Sequence, residues 1–216
     1  MIAAETISNK NPVWRITGRA FHSGNELPGN WRDLLATRLG QRPRRIGILA
    51  ELALFGALDC MDSAGEKTLS GDTVLRVCSL RGAATAIGQV LGQIRQELPM
   101  PFNFLQSQPS QLLPALAAAL KWQGDAGIVV ARDRMSLAIL AARQAGPNGM
   151  LLGWVEEEEP RLSQWIRLAP CALPPDGFAA ASSFEKIVLP GTLYWRLGRA
   201  GMEIAPVPDT SCMKAT

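Results

Sequence analysis

Gly127-Ile128-Val129-Val130-Ala131, followed at once by Arg132-Asp133-Arg134-Met135-Ser136, passes from an apolar β-branched run to polar residues. The first five residues predict a strand. Asp133 to Ala145 predicts a helix, and Met150-Leu151-Leu152-Gly153-Trp154-Val155 a further strand beyond it. Strands alternating with helices argue for an α/β domain with a mixed or parallel sheet.

Working back from this unit, Thr73-Val74-Leu75-Arg76-Val77-Cys78-Ser79 is β-branched, bounded by Gly71 and Gly82, and reads as a strand. The helix expected from Gly82 to Leu98 carries Ala83, Ala86, Ile87, Val90, Leu91 and Ile94 at spacings that predict burial. Pro99 to Pro109 reads as irregular, and Pro109 and Ser110 open an alanine- and leucine-rich helix to about Trp122. Nearer the start, Val13 to Gly18 predicts a strand, His22 to Gly29 a turn-rich stretch, and Asn30 the N-cap of a helix stopped by Gly40. Ile46 to Met61 has little polar face and predicts a largely buried helix.

Working forward, Glu156-Glu157-Glu158-Glu159 reads as a solvated hairpin turn, with Trp165 to Leu168 as a strand paired back on residues 150–155. Ala169 to Ser183 reads as loop, Ile187 to Leu189 as a strand and Thr192 to Ala200 as a helix. The expected organisation is a flexible N-terminus over 1–12, a domain over 13–170, and an extension over 171–216 that completes or is appended to it.

Composition excludes several kinds of chemistry. The chain has 216 residues, one histidine and four cysteines, and its net charge of +3 is too mild to argue for nucleic acid. With His22 alone, a multi-histidine zinc site or a Cys-His-His acyl-transfer site cannot be assembled. Cys60, Cys78, Cys171 and Cys212 form no CxxC pair. No metal or cofactor is expected. No apolar run reaches membrane-spanning length and no secretory signal is visible, so a cytoplasmic protein is expected.

Motif by motif, little chemistry is specified. The glycines of residues 82–92 match neither GxGxxG nor GxxxxGK[ST], and close helix–sheet packing is the expected reason for them. Consecutive glutamates alternate in direction and do not make a metal site. Arg42, Arg44 and Arg45 read either as a solubilising cluster or as contacts for an acidic partner, such as a carrier protein or a phosphopantetheine phosphate. Positive charge near a helix start is mildly unfavourable, which keeps the second reading in play. His22 reads as a loop or core histidine, because no GxSxG elbow accompanies it. Cys60 and Cys78 read as buried small hydrophobes.

The order of elements carries a resemblance. A first strand ending in Thr17-Gly18 is followed by an apolar helix (Leu49 to Leu58) and by Val74-Leu75-Arg76-Val77-Cys78-Ser79-Leu80-Arg81-Gly82. After a long helix come Met100-Pro101-Phe102-Asn103-Phe104, an alanine-rich helix, Gly124-Asp125-Ala126, and the strand–helix–strand unit of residues 127–155. Over residues 13–170 this resembles the N-terminal half of the β-ketoacyl synthase, or thiolase-like, fold. It is most similar to the short chain length factor proteins of aryl-polyene and related type II polyketide systems. The resemblance implies a thiolase-like half-fold with layered helices around a mixed, mostly parallel sheet.

It also implies roles. In active ketosynthases the strand equivalent to Gly127–Ala131 ends in a nucleophilic cysteine at a helix N-terminus, where the dipole favours thiolate. Here Arg132 or Asp133 occupies that position and no catalytic residue is assigned. The resemblance therefore implies a non-catalytic subunit in fatty-acid or polyketide-type biosynthesis. It would pair with an active ketosynthase through the strand Ile128, Val129 and Val130, and act alongside an acyl carrier protein. Two other readings remain open. One is a stand-alone acyl or small-molecule binding module with an apolar pocket lined by Trp and Phe residues. The other is an enzyme using Arg132 and Asp133.

Overall fold

The computed structural model describes residues 12–97, 101–129, 131, 133–172, 177–180, 192–198 and 201–206. Val130, Arg132 and the strand expected over Ile187 to Leu189 lie outside them.

The unit read first is present. Strand β3 (Ala126–Val129) leads into helix α6 (Arg134–Gln144), and β4 (Met150–Glu156) follows. Upstream come β1 (Val13–Ser23), α1 (Trp31–Leu39), α2 (Gly47–Ala64), β2 (Val74–Cys78), α3 (Ala84–Arg95), α4 (Pro101–Gln106) and α5 (Leu112–Ala119). Downstream come β5 (Leu162–Pro170), β6 (Ala179–Ala180), β7 (Thr192–Gly198) and β8 (Gly201–Pro206). They form one eight-stranded sheet in the order β3-β2-β4-β5-β1-β7-β8-β6.

Pairing is parallel from β3 to β2 and from β2 to β4, and antiparallel at every other junction. Strands β1, β2, β3, β4 and β8 consequently run in one direction, against β5, β6 and β7. The sheet is mixed, as expected, but it is not mostly parallel: neighbours pair in parallel only across β3-β2-β4 and antiparallel at the other five junctions. The short β4–β5 and β7–β8 connections contribute to this, since a short connection can only join antiparallel neighbours.

Burial on both faces explains the apolar runs at the centre. Leu75, Val77, Leu151, Val155 and Trp165 face α2 and α5, meeting Leu52, Phe55, Leu112 and Leu116. On the opposite face Val74, Cys78, Met150, Leu152, Ile166 and Leu168 meet Leu137, Ala138 and Ala141 of α6, with Trp195 of β7. The result is helix, sheet and helix in three layers.

Trp165 lies between two glycines. A Cβ on Gly56 of α2 would come within 2.5 Å of its ring, and one on Gly153 of β4 within 2.6 Å. Its indole N–H donates to Ser163 Oγ, whose hydroxyl in turn donates to the Leu52 carbonyl at 2.7 Å. The buried polar atoms at this contact are thereby satisfied.

Several expectations are corrected. Thr192 to Ala200 is not a helix: residues 192–198 form β7, where Trp195 is fully buried and opposite Trp14 of β1. Packing of a large aromatic across a strand pair decides this segment over its local helix preference. His22 belongs to β1, not to a turn, because the strand continues through Ser23 in register with β5. The stretch after Pro99 contains the short helix α4. Within the stretch expected as loop, Ala169 and Pro170 extend β5 and Ala179–Ala180 pairs with β8.

Candidate functional site

At the end of β3 the chain turns into α6 with Asp133 as the N-cap. Asp133 Oδ1 accepts from the Ser136 backbone N–H at 2.8 Å, and Oδ2 from the Ser136 hydroxyl at 2.9 Å. This side chain serves the helix start. Asp133→Ala should lower stability by about 1 kcal/mol in a urea melt, and a conservative Asp133→Asn should recover most of that loss.

The most informative surface lies on the other side of β3. In the strand order β3 is terminal, with β2 as its strand neighbour among the described residues, and Ala126 to Val129 are half-buried. Ile128 and Val129 thus stand on a sheet edge, the row of backbone groups to which another strand can add. The 3-10 turn Pro109–Gln111 packs beside β3, α4 beside that turn, and α3 beside α4.

The apolar side chains of α3 are not buried as expected. Ala83 and Ala86 are, but Ile87, Leu91 and Ile94 are 40%, 52% and 64% exposed. Phe104 and Leu105 of α4, at 57% and 47%, and Leu80 at 53%, are exposed as well. Gly88 and Gly92 have nothing within 4 Å of a built Cβ, so close helix–sheet packing does not account for them. Gly82 differs, with φ +58° and Pro109 2.9 Å from a built Cβ. The i, i+4, i+7 spacing of Ile87, Leu91 and Ile94 marks an apolar side that is exposed among the described residues.

A signal for this surface exists in the sequence. Residues 82–120 contain only two charged side chains, Arg95 and Glu97. Much of the segment is exposed, and solvent-facing surface ordinarily carries about a quarter to a third charged residues. Depletion of charge with apolar enrichment is the composition of a contact surface.

The glutamate run holds this region in place and is only partly solvated. Glu156 accepts from the Leu80 and Arg81 backbone N–H groups, the Ser79 hydroxyl and the Trp154 indole, at 2.7 to 3.3 Å. Glu157 is 5% exposed. It accepts from the Leu49 N–H at 3.0 Å and the Thr85 N–H at 2.6 Å, in the first turns of α2 and α3. One carboxylate thus joins two helix N-termini, where the dipoles favour negative charge. Glu158 pairs with Arg81, and Glu159 with Arg161.

Arg42 and Arg44 are exposed on the loop before α2, Arg42 lying 3.6 Å from Asp33. Arg45, also exposed, has φ +65°. His22 donates from Nε2 to Asp59 Oδ2 at 2.6 Å and stacks obliquely on Phe55 at 4.8 Å; Arg38 also pairs with Asp59. Burial raises the Asp59 carboxyl, but the hydrogen bonds from His22 and Arg38 outweigh it and hold the pKa below the ordinary value. Its contribution to stability is complete above about pH 4 and is lost as pH falls through the depressed folded value. Thermal melts from about pH 6 down to about pH 2.5 should show a shallower acid loss in Asp59→Asn than in the parent.

Burial pushes the Cys60 thiol well up, and that of Cys78 to about 11, so both remain protonated. Among the described residues no group of three or more His, Cys, Asp or Glu side chains is placed to hold a metal. No helix among them is long and apolar enough to cross a membrane.

The architecture has counterparts among solved structures. A ketosynthase in complex with its chain length factor from Xenorhabdus doucetiae matches with a TM-score of 0.53 at 17% identity, over 81% of this chain and 85% of that chain. The ishigamide ketosynthase/chain length factor matches with a TM-score of 0.57 at 15% identity, over 76% of this chain and 63% of that one. A type II polyketide-synthase acyl-carrier protein in complex with its ketosynthase bound to the hexaketide matches with a TM-score of 0.56 at 11% identity, over 74% and 63%. This chain spans under two thirds of the length of the last two, whereas the near-equal shares in the first indicate chains of similar length. No family model and no curated protein matches. The chain shares the fold of these ketosynthase and chain length factor structures, as the order of its elements implies.

Proposed function

We propose that this chain is a non-catalytic, chain length factor-type subunit that forms a 1:1 pair with an active ketosynthase in polyketide- or fatty-acid-type biosynthesis. The observation that carries the reading is the exposed apolar side of α3, on a helix that packs beside α4 and near the open edge of β3. A subunit that folds with such a side exposed has a partner surface built into it. The matched structures are themselves complexes of ketosynthases, which supports a ketosynthase as that partner.

In this reading Ile128, Val129 and Val130 add antiparallel to the equivalent strand of the ketosynthase, and Ile87, Leu91 and Ile94 are covered by it. Arg132 and Asp133 occupy the turn where a nucleophile would stand, and the Asp133 carboxylate is engaged in capping. The chain would influence product length by shaping the end of the partner's acyl tunnel. Arg42, Arg44 and Arg45 form a separate basic loop suited to an acidic acyl carrier protein, a contact that salt should weaken. Co-expression with the candidate ketosynthases of its source should yield a 1:1 complex with one of them by size-exclusion chromatography with light scattering. Two monomers under these conditions would overturn the proposal.

One observation favours the second reading, a stand-alone acyl or small-molecule binding module. A cleft of about 300 Å³ lies at the C-terminal ends of β2 and β4; Leu80, Trp154 and Leu162 line it with Arg81 and three glutamates (Glu156, Glu158 and Glu159), so it is more polar than the Trp- and Phe-lined pocket expected. Its volume is at the lower end of small-molecule sites, and ligands favour this end of parallel strands. Thermal stabilisation by free acyl ligands with no partner present would support this reading over the first.

A further inference from the structure

Beside α3 lies a second, smaller concavity, whose floor is apolar (Ile46, Ala86 and Leu112 among others) and whose rim carries glutamines. A cleft of about 80 Å³ is bounded by the start of α2 (Gly47 to Ala50), by Thr85 and Gln89 of α3, and by Gln106, Gln108 and Gln111. The four glutamines come from three different places: α3, the end of α4, and the 3-10 turn before α5 with the residue that precedes it. Gln106 reaches the helix start, since a Cβ on Gly47 would sit 3.9 Å from its side chain. Among the described residues none of the four side-chain amides has a hydrogen-bond partner, although each can both donate and accept.

The cleft contains one charge, that of Glu157, and its two oxygens are taken by the Leu49 and Thr85 N–H groups. An anion would meet that carboxylate. A cation would have to compete with two short backbone hydrogen bonds. A neutral ligand presenting both a donor and an acceptor suits a cleft rimmed by four carboxamides, and the secondary amide of a peptide main chain is such a ligand.

We infer that this cleft is an amide-reading site that takes an uncharged main-chain segment of the partner protein. The inference rests on the proposed pairing for the identity of that partner, a ketosynthase. Its chemistry follows from the cleft alone. The apolar side of α3 supplies contact area without direction, whereas side-chain amides that match a peptide unit fix how the partner's backbone lies. The two features lie on different flanks of α3 and divide anchoring from register.

The test begins with the free chain. N-acetylglycine N-methylamide, a neutral peptide mimic, is titrated against labelled protein, and the side-chain NH₂ signals of Gln89, Gln106, Gln108 and Gln111 are followed by NMR. The expected result is a common saturating shift of these signals with the diamide, and none with acetate or methylammonium at equal concentration. Equal shifts with acetate, or no shift with any probe, would overturn the site.

The second arm measures ketosynthase binding by the triple variant Gln89→Ala, Gln106→Ala, Gln111→Ala. These are exposed or half-exposed positions where folding should be unaffected, checked by thermal melting. Affinity should fall at least about tenfold, the effect of losing one or two net hydrogen bonds. Unchanged affinity would show that the partner does not use the cleft. If the diamide binds but no ketosynthase does, the pairing fails and the site stands. If the ketosynthase binds while the diamide and the triple variant show no effect, the site fails and the pairing stands.

Discussion

Leu91→Glu with Ile94→Glu should abolish the pair with the ketosynthase while leaving the single chain folded. Both side chains are more than half exposed in the isolated subunit, at 52% and 64%. Surface substitutions of this kind usually change stability by no more than about 0.5 kcal/mol. In a covered interface the same two carboxylates would be desolvated with no countercharge designed for them. The expected loss of affinity is at least about a hundredfold, read by isothermal titration or by loss of the co-eluting peak. Leu91→Gln with Ile94→Gln, which adds no charge, should weaken the pair less. If the glutamate variant binds as tightly as the parent, α3 is not part of the interface.

The second large effect is expected at Glu157. Replacing it with leucine removes the acceptor for the Leu49 and Thr85 N–H groups, leaving the first without a partner in a buried position and the second in a part-buried one. An unsatisfied buried donor costs about 1 to 3 kcal/mol and a part-buried one less, so Glu157→Leu should destabilise the chain by about 3 kcal/mol. For a protein of this size that corresponds to a fall in melting temperature of about 10 °C. Glu157→Gln keeps one acceptor oxygen and should fall between the two. A functional consequence follows from geometry, because Glu157 fixes the start of the helix that carries Ile87, Leu91 and Ile94. The variant should therefore also bind the partner less tightly at temperatures where it remains folded. An unchanged melting curve for Glu157→Leu would contradict this assignment.

These two sites show what the sequence makes legible and what it does not. The α1, β2, β3, α6, β4 and β5 elements are readable because their signals are local: β-branched runs, a helix-starting Asp133, and Gly40 after α1, which adopts φ +72°. The length of β1 through His22 is not, since it depends on nine residues of pairing with β5. Strand β7 is not, because the side chain that decides it, Trp195, packs against a strand at the far end of the chain.

For the site, periodicity identified an apolar side on α3 correctly. It did not reveal whether that side faces this chain's own core. Only the packing of α3 against α4 and the exposure of Ile87 answer that. The near absence of charge over residues 82–120 was a readable clue. The glutamate run misled because four like charges suggest solvation, whereas position against two helix starts and a strand-end loop turns Glu156 and Glu157 inward. Here the tertiary arrangement of N–H donors overrides composition.

The account is tested most directly by hydrogen–deuterium exchange on the wild-type chain, free and mixed with its ketosynthase. Pairing through the β3 edge and the α3 side predicts that protection on mixing concentrates in residues 84–95 and 126–129, with little change in β7 and β8. Protection confined to other elements, or no change at saturating ketosynthase, would contradict it.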